Sequence, residues 1–298
     1  MIKVFSLAIA VISLTISLTA QRSVILDADT ANEVDDLYAI FYLLSDSTVD
    51  VTSINAVQWQ SSQWSTERTM EDSHRLNQVL TAEMGLNIPL RRGGEGRMYD
   101  WGNQARYSDA TMNILEEARK ATPKNKLNII SLGALTNVAS AIFIDPSIEQ
   151  NIKLYWLGST YDFENNIIRK NDYNCMMDIQ ALDRLLHSQV EMHIIPINVA
   201  SKTIFHYAET DAIFRGTHNL GNYLMDTWYH HRAGGRKSRT LWDLSIIYSF
   251  LYPDKVDSKT ITTTRDNGAR PINYIVDFDN QDLKEDLFMR YMEWIKAH

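Results

Sequence analysis

Apolar residues along this chain recur in two rhythms that take turns. Val24–Ala28 is a short apolar run ending among acidic residues, and 35–45 follows with Leu37, Ile40, Phe41 and Leu44 at helical spacing. Residues 49–57 are β-branched and predict a second strand, with an Asp-Ser turn before them. Residues 65–82 read as a polar helix, and 91–102 as a Gly/Arg-rich loop holding Tyr99 and Trp101. A helix over 109–121 ends at Pro123, Leu127–Leu132 is the next strand, and a helix over 135–144 is stopped by Asp145-Pro146. Ile152–Leu157 predicts a strand, followed by a polar loop through Asn174 and a helix from Asp178. Met192–Ile197 is a fifth buried strand. The remainder is mostly helical, with a Gly/Arg segment at 233–239, a hairpin within 259–276 and a C-terminal helix from Asp282. This alternation predicts an α/β fold, a mainly parallel central sheet with helices on both faces. In such sheets ligands bind at the carboxyl ends of the strands.

The first twenty residues break the rhythm. Lys3 is their only charge, an apolar stretch runs from Val4 to Leu18, and Thr19-Ala20 precedes Gln21, the pattern of a cleaved secretory leader. The stretch is interrupted by serines and threonines and is short for a bilayer span. An exported protein is therefore expected, with a signal peptide over 1–20, one domain over 21–298 and no stable membrane insertion after cleavage. No repeat, low-complexity tract or linker divides 21–298. With 37 acidic against 29 basic residues the net charge is −8, which argues against a nucleic-acid partner but not against a small neutral one. Cys175 is the only cysteine, so no intramolecular disulfide can form, and it is expected to be an ordinary buried thiol. No Cys/His cluster has zinc spacing. A hard ion bound by oxygen suits the composition better.

The densest chemistry lies between the first strand and first helix, in Asp27-Ala-Asp29-Thr-Ala-Asn-Glu-Val-Asp35-Asp36. Four aspartates in one turn repel one another unless a cation or raised pKa values relieve them. Asp35 and Asp36 start a helix, where the dipole favours negative charge. The loop is not an EF-hand, whose sixth and twelfth positions would be Gly and Glu but here are Asn32 and Tyr38. Nor is it the Asp-x-Asp motif of haloacid-dehalogenase phosphatases, which wants Thr or Val where Ala31 stands.

The motif resembles the opening of the nucleoside hydrolase (inosine-uridine hydrolase-like) family, and the resemblance continues in order along the chain. Ile130-Ser-Leu132-Gly-Ala-Leu-Thr-Asn137, Leu157-Gly158, Asn171-Asp172-Tyr173-Asn174 and Trp242-Asp243 are similar to its later motifs. The resemblance implies that Asp29 is metal ligand and general base, and that Asp36, Asp243 and the Leu132 carbonyl complete the protein's shell around a Ca²⁺. It implies that Asp35, Asn166, Asp172 and Asn174 contact the ribose, with Gln60 the best-aligned substitute for a further Asn, and that Asp27 supports the loop. Family members are often dimers or tetramers, so a homo-oligomer is also implied. The chemistry is coherent: Ca²⁺ takes six to eight oxygens, a metal acidifies its water, and a carboxylate can take the proton as water attacks the anomeric carbon, opposite the base.

The leaving base needs help to depart without strong negative charge. Some family members place a His before the late aspartate; here that residue is Trp242, which resembles the purine-preferring branch, where aromatic rings sandwich the base. Tyr99, Trp101, Trp59 or Trp64 are candidates for the second ring. His230-His231 precede the Gly/Arg segment and are expected to be satisfied or solvent-facing, with a lid over the base as the other possibility. His206, His218 and the Arg91–Arg97 stretch carry no specific signal. The reading is thus a calcium-dependent ribonucleoside hydrolase, with purine the expected base. Alternatives are a hydrolase of a related N-riboside (nicotinamide riboside or an ADP-ribosyl compound) and a non-catalytic exported binding protein, the latter disfavoured by Asp29.

Overall fold

A computed structural model describes residues 21–60, 64–98, 104–231 and 234–298. The leader segment, Tyr99 and Trp101 lie outside the described residues. In chain order the first half comprises β1 (Arg22–Ala28), α1 (Asp35–Leu44), β2 (Val49–Ala56), α2 (Thr69–Glu83), β3 (Leu90–Arg91), α3 (Asp109–Lys120), β4 (Leu127–Ser131) and α4 (Thr136–Ile144). Then follow β5 (Ile152–Leu157), β6 (Thr160–Asp162), β7 (Ile167–Arg169), α5 (Tyr173–Met177), α6 (Ile179–Leu186), β8 (Glu191–Ile195) and α7 (Ile197–Ala200). The last part holds β9 (Ile204–His206), α8 (Tyr207–Phe214), α9 (Asn219–His230), β10 (Ser238–Thr240), α10 (Leu244–Leu251), β11 (Val256–Thr262), β12 (Pro271–Phe278) and α11 (Asn280–Ala297).

Eight strands form the central sheet in the order β11-β12-β8-β5-β4-β1-β2-β3, parallel except for the β11–β12 hairpin. Its inner strands are apolar on both sides because helices cover both faces. Along β1, Val24 and Leu26 join the core under α1, α9, α10 and α11, while Ile25 joins the core under α3, α4 and α6. Each fully buried aliphatic side chain is worth about 1.5–3 kcal/mol over exposure. A core of this size can carry a costly polar site at its rim.

Winding reverses between β1 and β4: from there the chain runs to β2 and β3 on one side and to β5 and β8 on the other. The carboxyl ends of two adjacent strands at such a switch point are left uncovered, and that crevice is where ligands bind in this architecture. Asp27 and Asp29 end β1, and Leu132 follows β4. The backbone N–H of Leu132 donates to the Asp27 carbonyl at 2.9 Å, which locks the two ends together.

Two regions depart from the expected element list. The polar stretch before Asn174 contains the β6–β7 hairpin and α5, whose short length and alternate polarity gave no periodic signal. The Gly/Arg segment ends in β10, which pairs with β9 as a two-stranded ribbon. The hairpin predicted within 259–276 is β11–β12, and the C-terminal helix is α11. No helix among the described residues is long and apolar enough to cross a membrane.

Candidate active site

The acidic loop is built by short-range bonds and held from α2. The Asn32 N–H closes a turn on the Asp29 carbonyl at 2.7 Å, the Thr30 hydroxyl donates to Asn77 at 2.6 Å, and the Ala31 N–H reaches Ser73. The chain then enters α1, placing Asp35 and Asp36 in its first turn. Asp243 is the N-cap of α10, which packs on α1. Two helix N-termini, with their partial positive charge, thus meet the same group of carboxylates.

The carboxylates of Asp35, Asp36 and Asp243 offer oxygens within 4.8 Å of one another, and all three residues are buried. Asp29 faces them, and its charge raises the proton affinity of each. Burial pushes the carboxyls of Asp27, Asp29 and Asp35 up to about 7. Burial and mutual repulsion hold Asp36 and Asp243 well above the carboxylate range. A shift from 3.8 to about 7 opposes ionisation by about 4 kcal/mol per group. Oδ2 of Asp27, Oδ2 of Asp29 and Oδ1 of Asp36 are buried without a hydrogen-bond partner. Orphaned carboxylate oxygens turned toward like charge are what a hard cation requires, so the donor set fits a divalent ion.

A cleft of about 330 Å³ opens over this group. Its lining includes the carboxylates of Asp29, Asp35, Asp36 and Asp243, together with Asp172, Tyr173, Asn174, Trp64 and Trp242. Trp64 and Tyr173 lie parallel, with ring centroids 5.7 Å apart and planes 9° apart. The space is too tight at Gly133 for any side chain, since a Cβ there would fall 2.5 Å from Oδ1 of Asp29.

Most expected residues meet here: Asp29, Asp35, Asp36, Leu132, Asp172, Asn174, Trp242 and Asp243 all line the cleft. Asp35, expected at the ribose, sits within the carboxylate trio, because Asp243 hydrogen-bonds to both Asp35 and Asp36. The Leu132 carbonyl accepts from the Asn174 amide at 2.6 Å and keeps a second lone pair. Asn174 donates also to Leu157 at 3.0 Å, leaving its own carbonyl oxygen for a ligand. Asp172 caps α5, accepting from the Ser159 and Asn174 N–H groups. Asp27 is buried and accepts from Asn55 at 2.7 Å.

Two expected residues are not among those lining the cleft. Gln60 does not line the cleft: its amide donates to the Glu95 carbonyl at 3.0 Å, while the buried Gln58 turns inward to Thr136 and Met177. Asn166 occupies the β6–β7 turn at φ 55° and accepts from Tyr161 at 2.9 Å, because the hairpin lifts it away. Trp59 is buried with Thr69 against its N–H, and Trp64 is the tryptophan of that pair which reaches the cleft. Cys175 is buried, and burial drives its thiol far above its ordinary range.

Sequence reasoning passed over Glu33, Asn32, Thr160, Asn171, Tyr173 and Ile197, which also line the cleft. Glu33 was legible as a fifth carboxylate inside the acidic motif, and Tyr173 as an aromatic between two assigned residues. Thr160 and Ile197 carry no local signal, since they follow β5 and β8 and are brought in by the sheet.

The family described as inosine-uridine preferring nucleoside hydrolase matches residues 24–285. A probable uridine nucleosidase of Arabidopsis thaliana is 24% identical over 261 residues, covering 78% of each chain. A solved purine-preferring ribonucleoside hydrolase from Gardnerella vaginalis aligns with TM-score 0.70 at 19% identity, over 93% of this chain and 100% of its own. A plant nucleoside hydrolase structure aligns with TM-score 0.71 at 17% identity, over 90% and 98%. The solved structures share the fold, and their reported preferences are their own.

The raised carboxyls give the metal-free protein a distinctive pH dependence. A carboxyl with a folded-state pKa near 7 and an unfolded value near 3.8 binds its proton more tightly when folded, so it stabilises below pH 3.8 and that contribution is lost as pH rises through 7. Chelated protein should therefore melt at a lower temperature at pH 8 than at pH 5.5, and a saturating divalent cation should abolish the difference. Thermal melts at both pH values, with and without chelator, measure this. Chelated protein that is as stable at pH 8 as at pH 5.5 counts against the assignment.

Proposed function

The chain belongs to the inosine-uridine preferring nucleoside hydrolase family and is an N-glycosyl hydrolase of ribonucleosides; from that premise we propose a calcium-dependent hydrolase that prefers purine nucleosides. The observation that carries the reading is the convergence of Asp29, Asp35, Asp36 and Asp243, with orphaned oxygens on Asp29 and Asp36, in a cleft that Trp64, Tyr173 and Trp242 also line.

The donor set is all oxygen, which suits a hard cation, and Asp29, Asp36, Asp243 and the Leu132 carbonyl would hold it. When bound, Ca²⁺ supplies coordination for vicinal ribose hydroxyls and a water, and lowers that water's pKa. Asp29 takes the proton as the water attacks the anomeric carbon, and the bond to the base breaks. Asp35 and the free oxygen of Asn174 orient the sugar, and Asp172 fixes Asn174 by capping α5. Positive charge developing on the ribose is stabilised by the surrounding carboxylates.

In this reading Trp242, half-buried and adjacent to Asp243, stacks on the departing base; Trp64 and Tyr173 line the same cleft. A bicyclic purine gains more from such rings than a pyrimidine. The 1–20 segment, in this reading, directs export and is removed.

Purified protein incubated with inosine, guanosine, adenosine, uridine and cytidine should release free ribose, and exhaustive chelation should abolish release. Full turnover in protein shown by elemental analysis to be metal-free would exclude the mechanism. Asp29→Asn should fold yet lose roughly 10²–10⁴-fold in rate. Near-wild-type turnover in that variant would place the base elsewhere.

Stacking on an aromatic ring is worth about 1–3 kcal/mol per base. Trp242→Ala should therefore lower kcat/KM for purines about tenfold or more, and less for pyrimidines, with kcat falling too. Equal losses on inosine and uridine, or a wild-type preference for uridine, would make Trp242 a packing residue only.

A further inference from the structure

Glu33 lies between Asp29 and Asp35 in the acidic loop, and its carboxylate accepts from a guanidinium nitrogen of Arg239 at 3.2 Å. Arg239 is 5% exposed. Its other terminal nitrogen donates to the carbonyls of Trp228 at 3.0 Å and His231 at 3.2 Å. Those carbonyls belong to the C-terminal end of α9, where carbonyls lack helical partners and a cation is favourable. The His231 ring also approaches Glu33, at 3.8 Å. Arg239 itself is the middle residue of β10, held against Phe205 of β9. Three and four residues later the same strand exit delivers Trp242 and Asp243. One guanidinium thus joins the loop bearing Asp29, Asp35 and Asp36 to the segment bearing Asp243, with α9 as the anchor.

We propose that Arg239, acting through Glu33, is a positioning residue that sets the separation between the acidic loop and Asp243, and with it the affinity of the site for calcium. The proposal rests on the calcium reading above. The carboxylates come from two segments far apart in sequence, and they repel one another, so a tie between their carriers is needed to keep them at coordinating distance. An Arg fork can bind a carboxylate and helix-end carbonyls together, which a single ammonium cannot.

The charge of Arg239 separates this role from a bland one. A cation beside Asp35 and Glu33 weakens binding of a second cation through space, so removing it should tighten calcium binding if electrostatics were its only effect. If it positions the loop, removing it loosens the site in spite of the charge lost. Residues supporting metal ligands typically cost 10–100-fold in affinity when replaced.

Calcium affinity should be measured by calorimetric titration of chelator-stripped wild type, Arg239→Gln, Arg239→Lys and Glu33→Gln, each checked for folding by circular dichroism. We expect Arg239→Gln and the charge-conserving Arg239→Lys both to bind calcium about tenfold more weakly. At saturating calcium KM and kcat should move back toward wild type. The double variant Arg239→Gln/Glu33→Gln should be no weaker than the worse single variant. Unchanged or tighter binding in folded Arg239→Lys or Arg239→Gln overturns the proposal. Wild type that binds no calcium overturns instead the calcium reading on which it rests.

Discussion

The constraint on which the molecule is organised is the repulsion among buried carboxylates at the point where the sheet reverses its winding. Taking even one carboxylate out of water costs several kcal/mol, and here Asp29, Asp35, Asp36 and Asp243 are buried together. Two helix N-termini offset part of that cost. The rest is left to protons or to a cation, and burial leaves these side chains holding protons up to neutral pH. A site that is uncomfortable by itself is one that gains most from a divalent ion.

Around this group the polar shell spends its hydrogen bonds on strand ends. Asp27 ties β1 to β2 through Asn55, Asn174 ties the ends of β4 and β5 through the carbonyls of Leu132 and Leu157, and Asp172 ties Ser159 to α5. Ser159 adopts φ 65°, an uncommon conformation for a residue with a side chain, which turns its N–H toward Asp172. These bonds fix the cleft floor before any ligand arrives. That suits a reaction in which a short-lived, positively charged sugar must be met by groups already in place. Gly133 shows the same tightness from below, where a methyl group would displace Asp29.

The cleft lining also carries the aromatic residues Trp64, Tyr173 and Trp242. Trp242 is bracketed by the bonded segment from β10 to α10, whereas Trp64 follows a part of the chain outside the described residues.

The alternation of apolar runs determined the α/β architecture, because strands covered on both faces must be continuously apolar and amphipathic helices must lie between them. The acidic motif by itself determined where the chemistry would be, since four aspartates in one turn have few other physical outcomes. Asp243, Trp242, Asp172 and Asn174 were legible only through the resemblance of their short motifs to those of the family, since no local period marks them. What only the tertiary structure decided is which of these side chains share the cleft. Asn166 and Gln60 were assigned by the resemblance, and the fold sets Asn166 in the β6–β7 turn and Gln60 against the Glu95 carbonyl, outside the cleft lining. Asp35 entered the carboxylate group because α10 docks on α1, and Glu33 met Arg239 because β10 pairs with β9. Contacts of that kind join residues two hundred positions apart, and the sequence carries no local period from which they can be read.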